Sequence, residues 1–402
     1  MSRLFAAVVL GTLLVTSALR ADDAPCAPEP SLAERIETAL AAPVDFSIKN
    51  VTLVRLAELI GEHCRIPVYL DRRALEEAAI AVDTPFELDC NIEDLPLATV
   101  LDIGLQNYDL AYVPQDDVLE ITTRTDAELH SETRVYDVTD LIEGDDFNAI
   151  VELLSCVISP TTWPDVGGPP PIHAYRLGNR WVLVFPQMVS VHREVEQLLA
   201  MLRSFKESKK TMPSPTPLER RVSKALDSPA SIVVTGLTVK SLAQKIREAC
   251  RIPVFVDSKA LEEAEITLAQ KLVYDGVAED VRLSTVLKHC LRNVGVVAVP
   301  HDGVLWITPP TRAELMQELR VYDVSDLEQD VDIESLENLL ISGVHTTSWG
   351  IIGGPGVLKP YRLGATTVFV VRQTHQAHCE IIALLAKLRA ARDGASVKVE
   401  LR

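Results

Sequence analysis

"CRIPV" stands at Cys64–Val68 and again at Cys250–Val254. The repetition decides the fold, because its neighbourhood repeats at the same offset of 186 positions. "ALEEA" occurs at Ala74–Ala78 and Ala260–Ala264, and "RVYDV" at Arg134–Val138 and Arg320–Val324. Trp163 matches Trp349, and Gly167-Gly168 matches Gly353-Gly354. "YRLG" at Tyr175–Gly178 matches Tyr361–Gly364, and His192 matches His378. Leu32–Lys206 lies on Leu218–Arg392 without an insertion. Solenoid repeats run to roughly 20–50 residues, so a period this long means duplicated domains.

Within one copy, "CRIPV" reads as a helix-to-strand joint. Thr52 caps a helix whose Leu53, Leu56, Ala57 and Ile60 share a face. Pro67 ends helical geometry and launches the strand Val68–Leu70. Upstream, Val44, Phe46 and Ile48 alternate as a strand, and so do Phe86, Leu88, Cys90 and Ile92 downstream. A helix with Leu97, Val100, Leu101 and Leu105 inward then leads to the hairpin Leu110–Thr122, whose counterpart turns at Asp302-Gly303. A short helix, Thr125–His130, connects to a second module. This contains the strand "RVYDVTD", a helix bearing Ile150, Leu153, Leu154 and Val157, a Trp/Gly loop, the strand "RWVLVFP" and a final helix.

The expected fold is α+β, a tandem duplication of a two-module unit. The modules span 32–123 and 131–206 in the first copy, and 218–309 and 317–392 in the second. The Pro/Ser/Lys stretch 207–217 is a linker.

Arg3, the apolar run Leu4–Val15 and the small residues after it make 1–21 a secretory signal peptide. The run is short for a membrane span, which needs about 20 residues. The expected location is therefore exported, and periplasmic. Asp22–Pro217 carries 34 acidic and 15 basic residues, whereas Leu218–Arg402 carries 23 and 22. An acidic first half repels phosphate backbones, which argues against nucleic-acid binding. Export permits disulfides. With seven cysteines, Cys64–Cys90 and Cys250–Cys290 pairings stand open beside buried thiols.

The strand-helix-strand and helix-hairpin order of 44–122 resembles the short N-terminal domain shared by secretins and TonB-dependent receptors. The next module, with "NRWVLVFPQMVSVHREVEQLLAMLR" from Asn179 to Arg203, resembles the KH-like periplasmic module of secretins. The double set also resembles exported planctomycete proteins carrying "VYDV", Trp, "GG" and a terminal "LR" in this order. Only nine residues follow Asp393, so the expected architecture lacks the secretin barrel. The resemblance implies a ring-forming or docking role.

No nucleophile elbow, zinc-protease helix, phosphate loop or calcium loop motif appears. His375, His378, Cys379 and Glu380 form the best metal-like cluster, but Val189 and Arg193 replace His375 and Cys379 in the first copy. A structural hydrogen bond from each helix-start histidine suits the pattern better. The pairs Asp137/Asp140 and Asp323/Asp326 fit turn and capping roles. The irregular loops hold the candidate interaction residues: Trp163, Gly167, Gly168, Tyr175 and Arg176, with Trp349, Gly353, Gly354, Tyr361 and Arg362 in the second copy. The bland reading of those loops is a hairpin whose Trp packs on its own module.

The resemblance, with these residues offering no catalytic motif, implies a non-catalytic exported docking protein of the cell envelope with a protein partner or self-association, no cofactor, no metal and no membrane span in the mature chain. Strand addition at a sheet edge, the C-terminal "SVKVELR" included, is its expected mode. The alternative is a periplasmic ligand- or metal-binding protein using the Trp/Gly loops or the His375–His378 helix.

Overall fold

The repeated helix begins at a threonine in both copies. Thr52 Oγ1 accepts the amide of Arg55 at 3.2 Å, and Thr238 Oγ1 accepts that of Ser241 at 3.3 Å. Each bond satisfies a donor the first turn leaves orphaned. The computed structural model describes residues 30–44, 48, 51–83, 85–86, 88, 94–144, 146–163, 172–208, 216–229, 234–273 and 280–394. Outside them lie the segment 1–21, Phe46, Cys90, Ile92, Gly167, Gly168, most of the linker and the C-terminal "SVKVELR".

The first copy runs α1 (Leu32–Ala41), β1 (Val51–Thr52), α2 (Leu53–Cys64), β2 (Val68–Leu70), α3 (Arg72–Glu77), β3 (Pro85–Phe86), α4 (Leu97–Gln106), β4 (Leu110–Gln115), β5 (Val118–Thr123) and α5 (Arg124–Ala127). Its second module is β6 (Ser131–Asp137), α6 (Asn148–Val157), β7 (His173–Leu177), β8 (Arg180–Met188) and α7 (Val189–Ser208). The second copy opens with α8 (Pro217–Asp227), α9 (Val239–Cys250), β9 (Val254–Val256), α10 (Ser258–Glu263), α11 (Leu283–Arg292), β10 (Val297–His301), β11 (Val304–Thr308) and α12 (Pro310–Ala313). It ends with β12 (Gln317–Asp323), α13 (Ser325–Glu328), α14 (Ile333–Gly343), β13 (Val357–Leu363), β14 (Thr366–Thr374) and α15 (His375–Arg392).

"CRIPV" is the joint between α2 and β2, and between α9 and β9. The stop is made one residue before the expected proline effect. Arg65 and Arg251 take left-handed caps at φ 54° and 52°, and their amides bond back to Gly61 and Arg247. Glycine usually fills such a cap. A second arginine holds each joint: Arg221 Nη2 donates to the Arg251 carbonyl at 2.7 Å, and Arg35 donates to that of Arg65. These clamps come from α1 and α8, two helices that the apolar periodicity considered above does not anticipate. The expected strand at Val44–Ile48 lies mostly outside the described residues: Val44 and Ile48 are buried, Pro43 bridges Pro96 in the antiparallel sense, and the Val44 amide donates to the Leu95 carbonyl at 2.8 Å. The short strand described in this region is β1, paired with β3.

Each short module holds a three-stranded sheet in which the central β5 (or β11) runs parallel to β2 (or β9) and antiparallel to β4 (or β10). Its hairpin turns at Asp116-Asp117 and at Asp302-Gly303, all four at positive φ, the geometry of a type I′ turn. Each second module has an antiparallel sheet with β8 (or β14) in the centre.

Alternation along β14 sends Phe369 and Val371 into the module's own core, while Val368 and Val370 point the other way. That second face is buried too, because it sits on the first copy. Val321, Tyr361, Leu363, Val368 and Val370 join one apolar cluster with Leu153, Leu154, Leu198 and Leu202 of α6 and α7. Burying such a side chain contributes about 1.5–3 kcal/mol. Tyr361 Oη donates to the Leu141 carbonyl at 2.9 Å, Lys359 pairs with Glu152 at 3.0 Å, and Arg372 pairs with Glu194 at 2.5 Å. The short modules join in the same way. The core of the first runs on into Phe255, Val304 and Trp306, with Arg221 paired to Asp94 at 2.7 Å.

Cys250 and Cys290 are separate thiols, Cys290 being buried with its Sγ donating to the Leu287 carbonyl at 3.5 Å. The open Cys250–Cys290 pairing is thereby corrected, whereas Cys64–Cys90 involves a residue outside those described. No helix among the described residues is long and apolar enough to cross a membrane.

Candidate functional site

The Trp/Gly loops do not gather their residues at one surface. Trp163 and Trp349 are buried, and each indole N–H donates at 2.7 Å to a carbonyl, that of Ile158 or Val344. The tryptophans are therefore loop anchors within their own modules. Gly353 adopts φ 89°, and a Cβ on Gly354 would meet the Ser348 carbonyl carbon at 2.2 Å. The glycines close the loop on itself. Tyr361 lies between the copies, and Arg362 sits 3.9 Å from Glu143. Tyr175 is exposed, and the Arg176 guanidinium lies 5.8 Å from the Trp181 ring centre.

The helix-start histidines make identical buried bridges. His378 Nδ1 accepts from Tyr322 Oη at 2.8 Å, and its Nε2–H donates to the Glu318 carbonyl at 2.8 Å. His192 repeats this with Tyr136 at 2.9 Å and Glu132 at 2.8 Å. Burial lowers both pKa values, that of His378 to about 4. Both nitrogens of His378 are committed, so it offers no lone pair to a metal. Among the described residues no His/Cys/Asp/Glu group has metal-holding geometry.

His375 is in a different setting. Its Nδ1 lies 3.1 Å from Glu318, which pairs with Arg320 at 2.5 Å. Burial opposes its charge, but bonds with Cys379 and Glu318 prevail and raise its pKa to about 9. The hydrogen bond with His375 in turn lowers the Cys379 pKa against its burial. The first copy has no such cluster. There Arg193 donates to Tyr112 Oη at 2.9 Å, at a cleft of about 280 Å³ between the two modules.

The aspartate pairs serve the backbone. Asp137 and Asp323 accept from the amides of Thr139 and Ser325 at 3.1 and 3.0 Å. Arg203 spans Asp140 and the Asp137 carbonyl, and Arg389 spans Asp326 and the Asp323 carbonyl. An open concavity of about 510 Å³ beside the first pair is lined by Asp137, Asp140, Arg180 and Arg203, whose charges already pair with one another.

The unbalanced feature is a sheet face. Val135, Tyr175 and Leu177 are 62, 51 and 63% exposed, yet their counterparts Val321, Tyr361 and Leu363 are 1, 5 and 5% exposed. The residue types are identical at all three positions. The outer face of β6–β8–β7 thus presents an aromatic and two aliphatic side chains to solvent. Large exposed apolar groups of this kind mark contact surfaces when they cluster. Sequence reasoning singled out Tyr175 but missed Val135 and Leu177. Strand alternation at Tyr175 and Leu177 carried the signal. No family model, curated protein or solved structure matches the chain.

Proposed function

We propose that this chain is a non-catalytic docking protein, exported to the cell envelope, which binds a protein partner through the outer face of β6–β8–β7. The observation that carries the reading is the exposure of Val135, Tyr175 and Leu177, whose exact residue-type counterparts are buried in a working interface. The polar clusters support it: the paired aspartates and His192 and His378 are satisfied internally. The mode differs from edge-strand addition, since side chains on a sheet face make the contact. Hot-spot interfaces commonly centre on such a tyrosine. The test immobilises the chain and a Tyr175→Asp/Leu177→Asp variant against an envelope extract. The chain retains a stoichiometric partner and the variant does not. Equal retention by both refutes the reading.

A further inference from the structure

The contact between the copies is sheet on helix, so it leaves each chain with one uncovered face of each kind. The outer face of β12–β14–β13 covers α6 and α7 of the first copy. The helix face of the first copy is therefore taken, and its sheet face is open. In the second copy the sheet face is taken and the helix face is open. Leu153 on α6 is 2% exposed, whereas its counterpart Leu339 on α14 is 40% exposed. Leu198 and Leu202 on α7 are fully buried, while Leu384 and Leu388 on α15 are only half-buried.

We propose that the open β6–β8–β7 face of one chain docks on the open α14–α15 face of a second copy of this chain. This occupant rests on the docking reading above and makes it specific. Its ground is continuity with the interface already made within the chain. On the sheet side, Val135, Tyr175 and Leu177 repeat Val321, Tyr361 and Leu363; on the helix side, Leu327, Leu339, Leu384 and Leu388 repeat Leu141, Leu153, Leu198 and Leu202. Tyr175 would bring its ring alone to the Leu327 position, since the Leu327 carbonyl already accepts the amides of Asp330 and Val331, whereas the Leu141 carbonyl receives Tyr361.

The charges fit as well, but more weakly. The pair Lys359–Glu152 becomes His173 opposite Asn338, and Arg362–Glu143 becomes Arg176 opposite Gln329. Arg372–Glu194 becomes Pro186 opposite Glu380. At these three positions no like charges meet. The short modules keep two complementary pairs, since Arg35 and Asp280 stand where Arg221 and Asp94 bond, and Asp126 and Arg292 where Arg312 and Gln106 bond, while Lys259–Asp109 becomes Arg73 opposite Gly295. The contact between chains therefore lacks ion pairs that the internal one has, and it lacks the tether. Sheet-on-helix docking is head-to-tail, so repetition gives a ring if the rotation closes and a filament if it does not.

The experiment is light scattering on a sizing column, with the mature chain over a concentration series up to about millimolar, the effective concentration a short linker supplies. Two variants block the two ends: Tyr175→Asp/Leu177→Asp for the sheet and Leu339→Asp for the helices, with Ser342→Arg as a second helix-face block should Leu339→Asp unfold. The mass of the unmodified chain rises with concentration. Each variant alone stays at the mass of one chain. An equimolar mixture of the two gives twice that mass and no more, because only one competent end of each kind remains. A single-chain mass for the unmodified protein throughout, or for the mixture, overturns the proposal. If that happens while the Tyr175 face still retains another envelope protein, the docking reading stands and only the self-docking falls. If neither is seen, both fall.

Discussion

At the scale of single residues, the duplicated buried histidines contribute to the acid side of the stability curve, beside carboxylates such as Glu318 whose pKa is lowered. His378 has a folded pKa of about 4 against an ordinary 6.5, so the unfolded chain binds more protons between those values. Its contribution is complete above pH 6.5 and is lost as pH falls through about 4. His378→Phe removes that part of the pH dependence. It also leaves Tyr322 Oη and the Glu318 carbonyl without their partner, costing about 1–3 kcal/mol at neutral pH. Thermal midpoints between pH 4 and 8 check both effects. His375 works in the opposite direction. Its folded pKa is raised to about 9, so its contribution is complete below 6.5 and is lost as pH rises through about 9. His375→Gln flattens the alkaline limb of the same curve. It also slows alkylation of Cys379, whose lowered pKa depends first on that histidine. Peptide mass mapping after iodoacetamide reads the loss, with the buried Cys290 as the unreactive control.

At the scale of elements, most of the fold was legible. Threonine caps, 3.6-residue periodicity and the Pro of "CRIPV" place α2, α9 and the strands after them. What the pattern hid was local chemistry without periodicity. The left-handed Arg65 and Arg251 occupy positions where glycine would be the signal. The Trp/Gly loop carried two readings, a contact surface and a hairpin whose Trp packs on its own module, because Trp and Gly serve both purposes; the indole bonds to Ile158 and Val344 show the packing. Gly354→Ala tests the loop's closure. Its Cβ would meet three backbone atoms of Ser348 within 2.7 Å. The substitution should cost about 1–3 kcal/mol, measured by urea denaturation, while Gly178→Ala at the open β7–β8 turn pays only its φ of 62°.

At the scale of the whole molecule, equal sequences have unequal environments. Val135 and Val321 share their local pattern, and nothing within either copy tells which is covered. That information lies in the direction of docking, a long-range property absent from any window of sequence. The charge asymmetry of the halves was its one visible trace, since Glu143, Glu152 and Glu194 of the acidic copy receive Arg362, Lys359 and Arg372. A matched pair of substitutions exposes the difference. Tyr361→Asp buries a charge between the copies and destabilises by about 3 kcal/mol or more. Tyr175→Asp stays within about 0.5 kcal/mol. Unfolding curves of the two variants compare the same residue type at equivalent positions.

The most direct measurement places a photo-crosslinking side chain at position 175 and, separately, at 361, with the chain in its native envelope. Position 175 should give an adduct with a second polypeptide, and position 361 an adduct within its own chain near Leu141. An unreacted position 175, or a second polypeptide captured at 361, would contradict both the direction of docking and the face assigned to the partner.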